Sequence, residues 1–142
     1  MSTNSAIGVV IGGKIKAVYC HWDGYVDGVG KMLHENYGQA KAELLVCEGD
    51  ISSLQSEIGV QHPFDMYRLS PNEKAQYENM TTFYKRDRAE EDVDPKTFTN
   101  AQEFLDYFGG EYWYILGTDG VWYYSEGDMN WKRVDQNLGR DA

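Results

Sequence analysis

Two β-branched segments separated by two glycines constrain the fold more than any other feature of this sequence. Ser5–Ile11 and Lys14–Cys20 are rich in Ile, Val and Ala, and Gly12-Gly13 lies between them. Two consecutive glycines supply the positive φ angles that a two-residue primed turn requires, and such a turn joins antiparallel strands. The sequence therefore predicts an N-terminal β-hairpin.

The residues after the hairpin are predicted to form a glycine-rich loop followed by two short helices. His21–Gly30 has three glycines in ten residues and no hydrophobic periodicity, which is typical of a structured loop. A first helix is predicted for Lys31–Tyr37 and a second for Gln39–Glu48. The residues expected to face inward on the second helix are Ala40, Leu44 and Cys47.

The rest of the chain is predicted to contain short helical turns, an exposed loop and three strands. The mixed charges of Lys85–Asp94 are too polar for a core and indicate an exposed loop. Capping residues predict helical turns or helices that begin near positions 50, 70 and 99. The C-terminal third predicts a three-stranded meander. Its strands are Glu111–Leu116, Val121–Ser125 and Trp131–Val134.

Length and composition limit the chain to one small domain. It has 142 residues, of which 42% are hydrophobic and 14% aromatic, enough for a core of its own. Because hairpin-connected strands pair antiparallel, the predicted fold class is α+β, with an antiparallel sheet of about five or six strands and two to four helices packed on one side. We expect residues 1–142 to form a single domain.

The charge of the chain disfavours some partners. Thirteen basic and 23 acidic residues give a formal net charge of −10, which argues against direct nucleic-acid binding because phosphate contacts need clustered Lys and Arg. No apolar stretch approaches the roughly 20 residues of a membrane-spanning helix, so we expect no membrane partner. No secretory leader is visible and the two cysteines are too few for a disulfide scaffold, so a cytoplasmic location is expected.

The densest group of reactive side chains lies at the end of the second predicted strand. Cys20, His21 and Asp23 are the types of residue that serve as nucleophile, base and orienting carboxylate in a small hydrolase. Successive residues of a strand point to opposite faces, so Cys20 and His21 would meet only if the backbone bends between them. These three residues are weak catalytic candidates, and an enzyme is the less favoured class.

Two other chemistries have weaker signals. A zinc site built from Cys20, His21, His34 and Cys47 lacks the closely spaced ligand pairs of structural zinc sites. Removal of Met1 would expose Ser2 as an N-terminal nucleophile, but a hydroxyl at the second position is very common. We predict no metal site and no cofactor.

The remaining candidates are binding residues. Lys85, Arg86 and Arg88 form a basic cluster, and arginine suits phosphate or carboxylate recognition, with local ion pairs as the alternative. Exposed Trp and Tyr side chains can anchor a protein partner or stack on a base, although at least half of the C-terminal aromatics are expected in the core. The candidate binding residues are Trp22, Asp23, Tyr25, Arg86, Arg88, Glu90, Glu91 and Asp92.

Four sequence blocks carry a family resemblance: Met1–Gly8, Tyr19–Tyr25, Gly49–Leu54 and Thr81–Arg88. Together they resemble a family of small proteins encoded by tailed bacteriophages and prophages, and the block Tyr-Cys-His-Trp-Asp-Gly-Tyr is the most specific of the four. The resemblance implies a phage origin and expression in the host bacterial cytoplasm, and it implies no reaction.

The sequence departs from the pattern of that family at three positions. Asn4 stands where the family has Arg, Val26 where it has Pro, and Ala89 where it has Gly. The loss of a basic residue at position 4 weakens any proposal that the N-terminus binds a phosphate. The Arg86-Asp87-Arg88 element is intact.

These observations favour a host-interaction protein. The expected function is counter-defence by an inhibitor, such as an anti-CRISPR or anti-restriction protein, that binds a bacterial nucleic-acid-handling defence protein stoichiometrically through acidic residues and aromatic anchors. One alternative is a sponge that sequesters a nucleotide defence signal through Arg86, Arg88 and either Trp22 or Tyr25. The other alternative is the small hydrolase. A homo-oligomer is compatible with the sequence.

Overall fold

The computed structural model describes residues 2–139. Within that range an eight-stranded mixed sheet has helices packed against both faces, so the predicted α+β class is confirmed. The sheet has more strands than the five or six predicted, and the described residues form five α-helices instead of two to four. The strands are β1 Ser5–Ile11, β2 Lys14–Cys20, β3 Ile51–Ser53, β4 Thr82–Phe83, β5 Lys96–Phe98, β6 Tyr112–Leu116, β7 Trp122–Ser125 and β8 Lys132–Arg133. The α-helices are α1 Lys31–Asn36, α2 Gln39–Cys47, α3 Pro71–Ala75, α4 Tyr84–Arg88 and α5 Ala101–Tyr107.

The predicted hairpin and the predicted C-terminal meander are both confirmed. β1 and β2 pair antiparallel along their whole length, and Gly12 and Gly13 between them have φ angles of 58° and 78°. Positive φ at both turn positions is the geometry that matches the twist of two antiparallel strands. β6, β7 and β8 follow one another as antiparallel neighbours.

The prediction of an all-antiparallel sheet is wrong at two strand pairs. β1 pairs with β6 in parallel, and β2 pairs with β3 in parallel. The strand order is β4-β3-β2-β1-β6-β7-β8, and β5 pairs with β2 outside this order. The antiparallel prediction assumed hairpin connections. Instead, α1 and α2 form the crossover between β2 and β3, and β1 and β6 are strands that lie far apart in the chain.

Helices cover both faces of the sheet, and the prediction that they pack on one side is wrong. Side chains alternate along β1, so Ile7 lies in the core under α1 and α2 while Ala6 lies in the core under α5. Gly8 faces α5 as well. A Cβ at this position would lie 3.4 Å from the Phe104 ring and 2.7 Å from a methyl group of Ile15, so glycine admits the close packing of α5.

Helix α2 packs through a different stripe than its spacing predicted. The expected inward residues Ala40, Leu44 and Cys47 are exposed, whereas Ala42, Leu45 and Val46 are buried against the sheet. Both sets recur at three to four residues, which is the helical period. The orientation of the helix over β1 and β2 selected one of two stripes that the spacing allowed.

Two further local predictions are corrected by the sheet. The segment after Asp50 forms β3 instead of a helical turn, because Ile51 pairs between Cys20 and Phe83 in the centre of the fold. The segment predicted as an exposed loop begins with α4, whose Asp87 is buried. Tertiary pairing outweighs local propensity in both cases.

The helix caps predicted from the sequence agree better with the structure. The Ser70 side chain accepts a hydrogen bond from the Glu73 N–H, and the Glu73 side chain accepts one from the Ser70 N–H, as in a complete capping box. At α5 the cap is Asn100, one residue later than predicted. Its side chain accepts from the Glu103 N–H at 2.9 Å, while Glu103 accepts from both the N–H and the hydroxyl of Thr99.

Candidate functional site

Residues 21–30 lie at the carboxyl ends of the parallel strands β2 and β3. The predicted loop is confirmed only for residues 21–25, because Val26–Gly30 forms a turn of π-helix that leads into α1. We call the whole segment 21–30 the loop. The N–H groups of His21 and Trp22 donate to the carbonyls of Ile51 and Ser52 at 3.0 and 3.1 Å, so the loop leaves the sheet in a defined direction. In open sheets with parallel strands, ligands bind outside the carboxyl ends of those strands. This placement makes the loop the first candidate for a functional surface.

Contacts from two other parts of the chain and one bond within the loop hold it in one conformation. The Gly24 N–H donates to the Thr3 carbonyl at 2.8 Å and the Val29 N–H donates to the Asp23 carbonyl at 2.8 Å. The Tyr114 hydroxyl donates to the Gly24 carbonyl at 2.6 Å. A Cβ at position 24 would lie 2.8 Å from the Thr3 carbonyl oxygen, so the loop depends on glycine there. The loop is pre-organised before any partner binds.

A cavity of about 340 Å³ opens between this loop, α1 and the end of β3. Among the described residues that line it are the carboxylates Asp23, Asp27 and Glu35 and the ammonium group of Lys31. The Asp27 carboxylate accepts a hydrogen bond from the Gly139 N–H at 2.6 Å. With three carboxylates against one ammonium group, the cavity favours a cation over an anion.

Two large aromatic side chains stand on the loop, and one of them, Tyr25, lines this cavity. Trp22 is 44% exposed and Tyr25 is 38% exposed. The Trp22 ring meets the His21 ring edge-on with 4.7 Å between centroids, and the Tyr25 hydroxyl lies 3.5 Å from the Asp23 carboxylate. We call Trp22, Asp23, Tyr25 and Glu35 the loop surface. Aromatic anchors on a fixed backbone are typical of residues that dominate binding energy in protein interfaces.

The structure does not bring Cys20, His21 and Asp23 together as a catalytic group. Cys20 points into the core, where burial raises the pKa of its thiol to about 12. His21 points to the other face of the sheet, and its Nδ1 lies 2.7 Å from the Tyr19 hydroxyl. Strand alternation separates the thiol from the imidazole. The hydrolase interpretation is left without a pair of nucleophile and base.

The residues considered for zinc are dispersed. Cys20 is in the core, and Cys47 is exposed on α2 with the Lys16 Nζ 3.3 Å from its Sγ. Among residues 2–139, no three His, Cys, Asp or Glu side chains come together in a way that could hold a metal ion. The N-terminal nucleophile interpretation requires removal of Met1, which lies outside the described residues; Ser2 is half-buried.

The carboxylate of Asp87 is buried and accepts four hydrogen bonds. Its Oδ1 accepts from the His62 N–H at 2.8 Å and from Arg86 Nε at 3.1 Å. Its Oδ2 accepts from the Phe83 N–H at 2.8 Å and from Arg86 Nη2 at 3.2 Å. Asp87 therefore ties α4 to β4 and to the segment that contains His62.

The guanidinium of Arg86 is used entirely within the protein. Besides its two bonds to Asp87, Nη1 donates to the carbonyls of Ile58 and Gly59 at 2.9 and 3.2 Å, and Nη2 donates to the Thr81 carbonyl at 2.9 Å. These contacts occupy all five N–H donors of an arginine. The prediction that Arg86 binds a phosphate or carboxylate ligand is corrected, because its guanidinium is bonded to Asp87 and to three backbone carbonyls. We call this buried pair the Arg86–Asp87 clamp.

The other candidates of this region are at the surface. Glu90, Glu91 and Asp92 are exposed after α4, and Lys85 pairs with Asp94 at 2.7 Å, so the ion-pair alternative describes part of the cluster. Arg88 is exposed, lies 5.4 Å from the centre of the Tyr84 ring and makes no ion pair with a described residue. Arg88 lines a second cavity, and none of the residues around that cavity belongs to the loop surface.

Ala89→Gly is expected to stabilise the protein by up to about 1 kcal/mol, because alanine is disfavoured in the left-handed conformation. Ala89 follows α4 with a φ of 53°, and it stands where the resembled family has glycine. Urea denaturation of both proteins measures the change. Ala75→Gly, in the exposed helix α3, is the matched control and is expected to lower stability. Equal losses for both substitutions would contradict the strain at position 89.

Sequence reasoning missed several residues that the structure places in these sites. Asp27, Lys31 and Glu35 recur every four residues, and this spacing was a usable signal that they share one helical face. His62 lies in a stretch without periodicity and had no comparable signal. The burial of Asp87 was not predictable either, because a run of mixed charges usually indicates a solvated surface.

Comparison of the chain with protein-family models, curated proteins and solved structures finds no significant match. The resemblance to phage proteins therefore stays an expectation from the sequence. Within residues 2–139, no helix has the length and apolar character needed to cross a bilayer.

Proposed function

We propose that this protein works by stoichiometric binding to another protein, with the loop surface as its main contact. The observation that carries the proposal is the exposure of Trp22 and Tyr25 on a loop that the rest of the fold holds rigid. An anchor that is already ordered loses little conformational entropy on binding, so more of its interaction energy appears as affinity.

The charge of the loop surface indicates the chemistry of the partner. Three carboxylates line the cavity that Tyr25 also lines, and the chain carries a net charge of −10. A partner with exposed arginine or lysine side chains complements this surface, and its side chains would lie between carboxylates and aromatic faces that both attract cations. Proteins that bind nucleic acid present such side chains in their binding grooves.

Combined with the resemblance to phage proteins, this chemistry supports a counter-defence inhibitor that acts in the host bacterial cytoplasm. An anti-CRISPR or anti-restriction protein would compete with nucleic acid for a basic groove. The nucleotide sponge is less well supported, because the Arg86 guanidinium is occupied and the cavity beside Trp22 and Tyr25 is lined mainly by carboxylates.

The test is an affinity capture from bacterial lysate followed by native mass spectrometry of the captured complex, which also reports any homo-oligomer. The wild-type protein is compared with Trp22→Ala/Tyr25→Ala and with Tyr67→Ala/Tyr107→Ala, a control pair of exposed tyrosines elsewhere. We expect one host protein at fixed stoichiometry with the wild type and the control, and its loss with the loop variant. Retention by the loop variant, or a bound mass of only a few hundred daltons, would contradict the proposal.

The acidic turn after α4 is expected to affect the rate of association. Changing Glu90, Glu91 and Asp92 to lysine should slow association with a basic partner about tenfold at low salt, with a smaller effect at high salt, because charges at a rim act through long-range attraction. Surface plasmon resonance at two ionic strengths measures both rates. Asp65→Lys/Glu78→Lys/Glu111→Lys, at three exposed carboxylates elsewhere on the protein, is the charge control of equal size. An unchanged association rate would remove the turn from the interface.

A further inference from the structure

A second cavity lies between α4 and the segment that precedes α3. It has a volume of about 260 Å³, and its walls include His62, Phe64, Thr82 and Arg88. None of these residues belongs to the loop surface. The backbone N–H of His62 is bonded to Asp87, so the Arg86–Asp87 clamp fixes this wall of the cavity.

The imidazole of His62 is a buried polar group with an unused atom. The residue is only 6% exposed, its ring packs against Tyr77 with 5.1 Å between centroids, and its Nε2 has no hydrogen-bond partner among the described residues. Burial lowers the pKa of His62, and the Arg86 charge lowers it further against the opposing effect of Asp87. Buried polar atoms in folded proteins nearly always have a partner. His62 lines the cavity, but its Nε2 is shielded from solvent, so the imidazole must rotate for this atom to meet a ligand there.

Arg88 supplies the charge at this site. Its guanidinium makes no ion pair with a described residue, whereas the Asp87 carboxylate in the same wall is neutralised by Arg86 and by two backbone N–H groups. The Arg86–Asp87 pair sums to zero, so the lining of the cavity carries one uncompensated positive charge, that of Arg88.

We propose that this cavity binds a small oxyanion, a phosphate or carboxylate group, held by the Arg88 guanidinium and by His62 Nε2 once the imidazole rotates toward the cavity. Arginine presents paired N–H donors that match two oxygens of such a group. The anion stabilises the His62 tautomer that carries its proton on Nε2. This N–H donates the third hydrogen bond to an oxygen of the anion. Phe64 and Met66 form an apolar wall beside the anion.

The size of the cavity limits the ligand. Cavities for drug-sized molecules span about 300–1,000 Å³, and this one has about 260 Å³. It therefore suits a single phosphate, a small carboxylic acid, or one phosphorylated or acidic side chain. It is too small for a whole nucleotide, so this inference does not restore the nucleotide sponge, and it does not rest on the proposed protein partner.

The test uses the full-length protein labelled with ¹⁵N in its three histidines. Sodium phosphate and sodium acetate are titrated at pH 7.5 and constant ionic strength, with sodium chloride as the reference salt. We expect a saturable change of the His62 Nε2 resonance toward the protonated type, with a dissociation constant of about 1 mM for at least one of the two anions, as for a weak small-ligand site. The anion that saturates identifies the class.

Two variants separate a built site from a general salt effect. Arg88→Gln is expected to weaken binding at least tenfold, whereas Arg68→Gln is expected to change nothing; Arg68 is the matched control, since it is also exposed and also lies over a tyrosine ring. His62→Phe keeps a ring in the wall and should abolish binding, with circular dichroism to verify folding. A non-saturating shift with both anions, or equal binding by Arg88→Gln and the wild type, would overturn the proposal.

Discussion

Arg86→Ala is expected to lower the free energy of unfolding by about 3–5 kcal/mol, the usual effect of removing one partner from a buried ion pair. The substitution leaves the Asp87 carboxylate buried without a counter-ion. It also removes the donors to the carbonyls of Ile58, Gly59 and Thr81. Because small domains have a total stability of about 5–15 kcal/mol, this one change would bring the fold close to its limit.

Urea denaturation, followed by tryptophan fluorescence, measures this effect. Arg88→Ala is the matched control: it removes an exposed arginine two residues away in the same helix, and we expect a change within about 0.5 kcal/mol. Asp87→Asn tests the other partner of the clamp. An amide NH₂ would replace one of two oxygens that both accept hydrogen bonds, so this variant is also expected to be strongly destabilised.

Similar unfolding midpoints for Arg86→Ala and Arg88→Ala would refute the structural role of the clamp. A change in the slope of the urea transition would indicate a different failure, in which the segment between Gly59 and Thr81 opens separately from the sheet. That segment is the part of the chain that Arg86 fastens at both ends, through the carbonyls on either side. Hydrogen exchange of its amides would distinguish local opening from global unfolding.

Trp22→Ala is expected to weaken binding of the captured partner by about 10²- to 10³-fold, equivalent to about 2.7–4 kcal/mol, as for a central interface anchor. The effect should appear mainly in the dissociation rate, because loss of a packed anchor shortens the lifetime of the complex more than it changes the encounter. Since Trp22 is already 44% exposed, its truncation should change the stability of the free protein much less than it changes affinity.

Surface plasmon resonance with the purified partner measures this prediction. Tyr67→Ala is the control, because Tyr67 is 74% exposed and lies outside the loop surface. Gly24→Ala provides an independent check on pre-organisation. A Cβ there would lie 2.8 Å from the Thr3 carbonyl oxygen, so this substitution should displace the loop and weaken binding without touching either anchor. Full affinity in both Trp22→Ala and Gly24→Ala would place the interface elsewhere on the protein.

Features that depend on neighbouring residues were predictable from the sequence. The Gly12-Gly13 turn and the Ser70 capping box are both present, because positive φ angles and side-chain caps are set by residues within a few positions of one another. The exposure of Glu90, Glu91 and Asp92 agrees with their charge in the same way.

Features that depend on distant partners were not predictable in this way. The stripe of α2 that packs inward was missed because two apolar stripes had the same spacing, and only the sheet beneath the helix distinguishes Leu45 from Leu44. Ile51 became a strand residue because Cys20 and Phe83 flank it in space. Arg86 resembled a ligand-binding arginine, and its carbonyl partners lie up to 28 residues away in the chain.

The sequence by itself determined the turn between β1 and β2, the cap of α3, the acidity of this protein and the presence of aromatic residues after β2, because each follows from residue type or short-range geometry. Only the tertiary structure decided the parallel pairing of β1 with β6, the separation of Cys20 from His21 and the placement of His62 and Arg88 around one cavity. Each of these features depends on which segments lie side by side, or which face of the sheet a side chain occupies, once the strands and helices have packed. Packing depends on the free energy of the whole chain, which no short window of sequence contains.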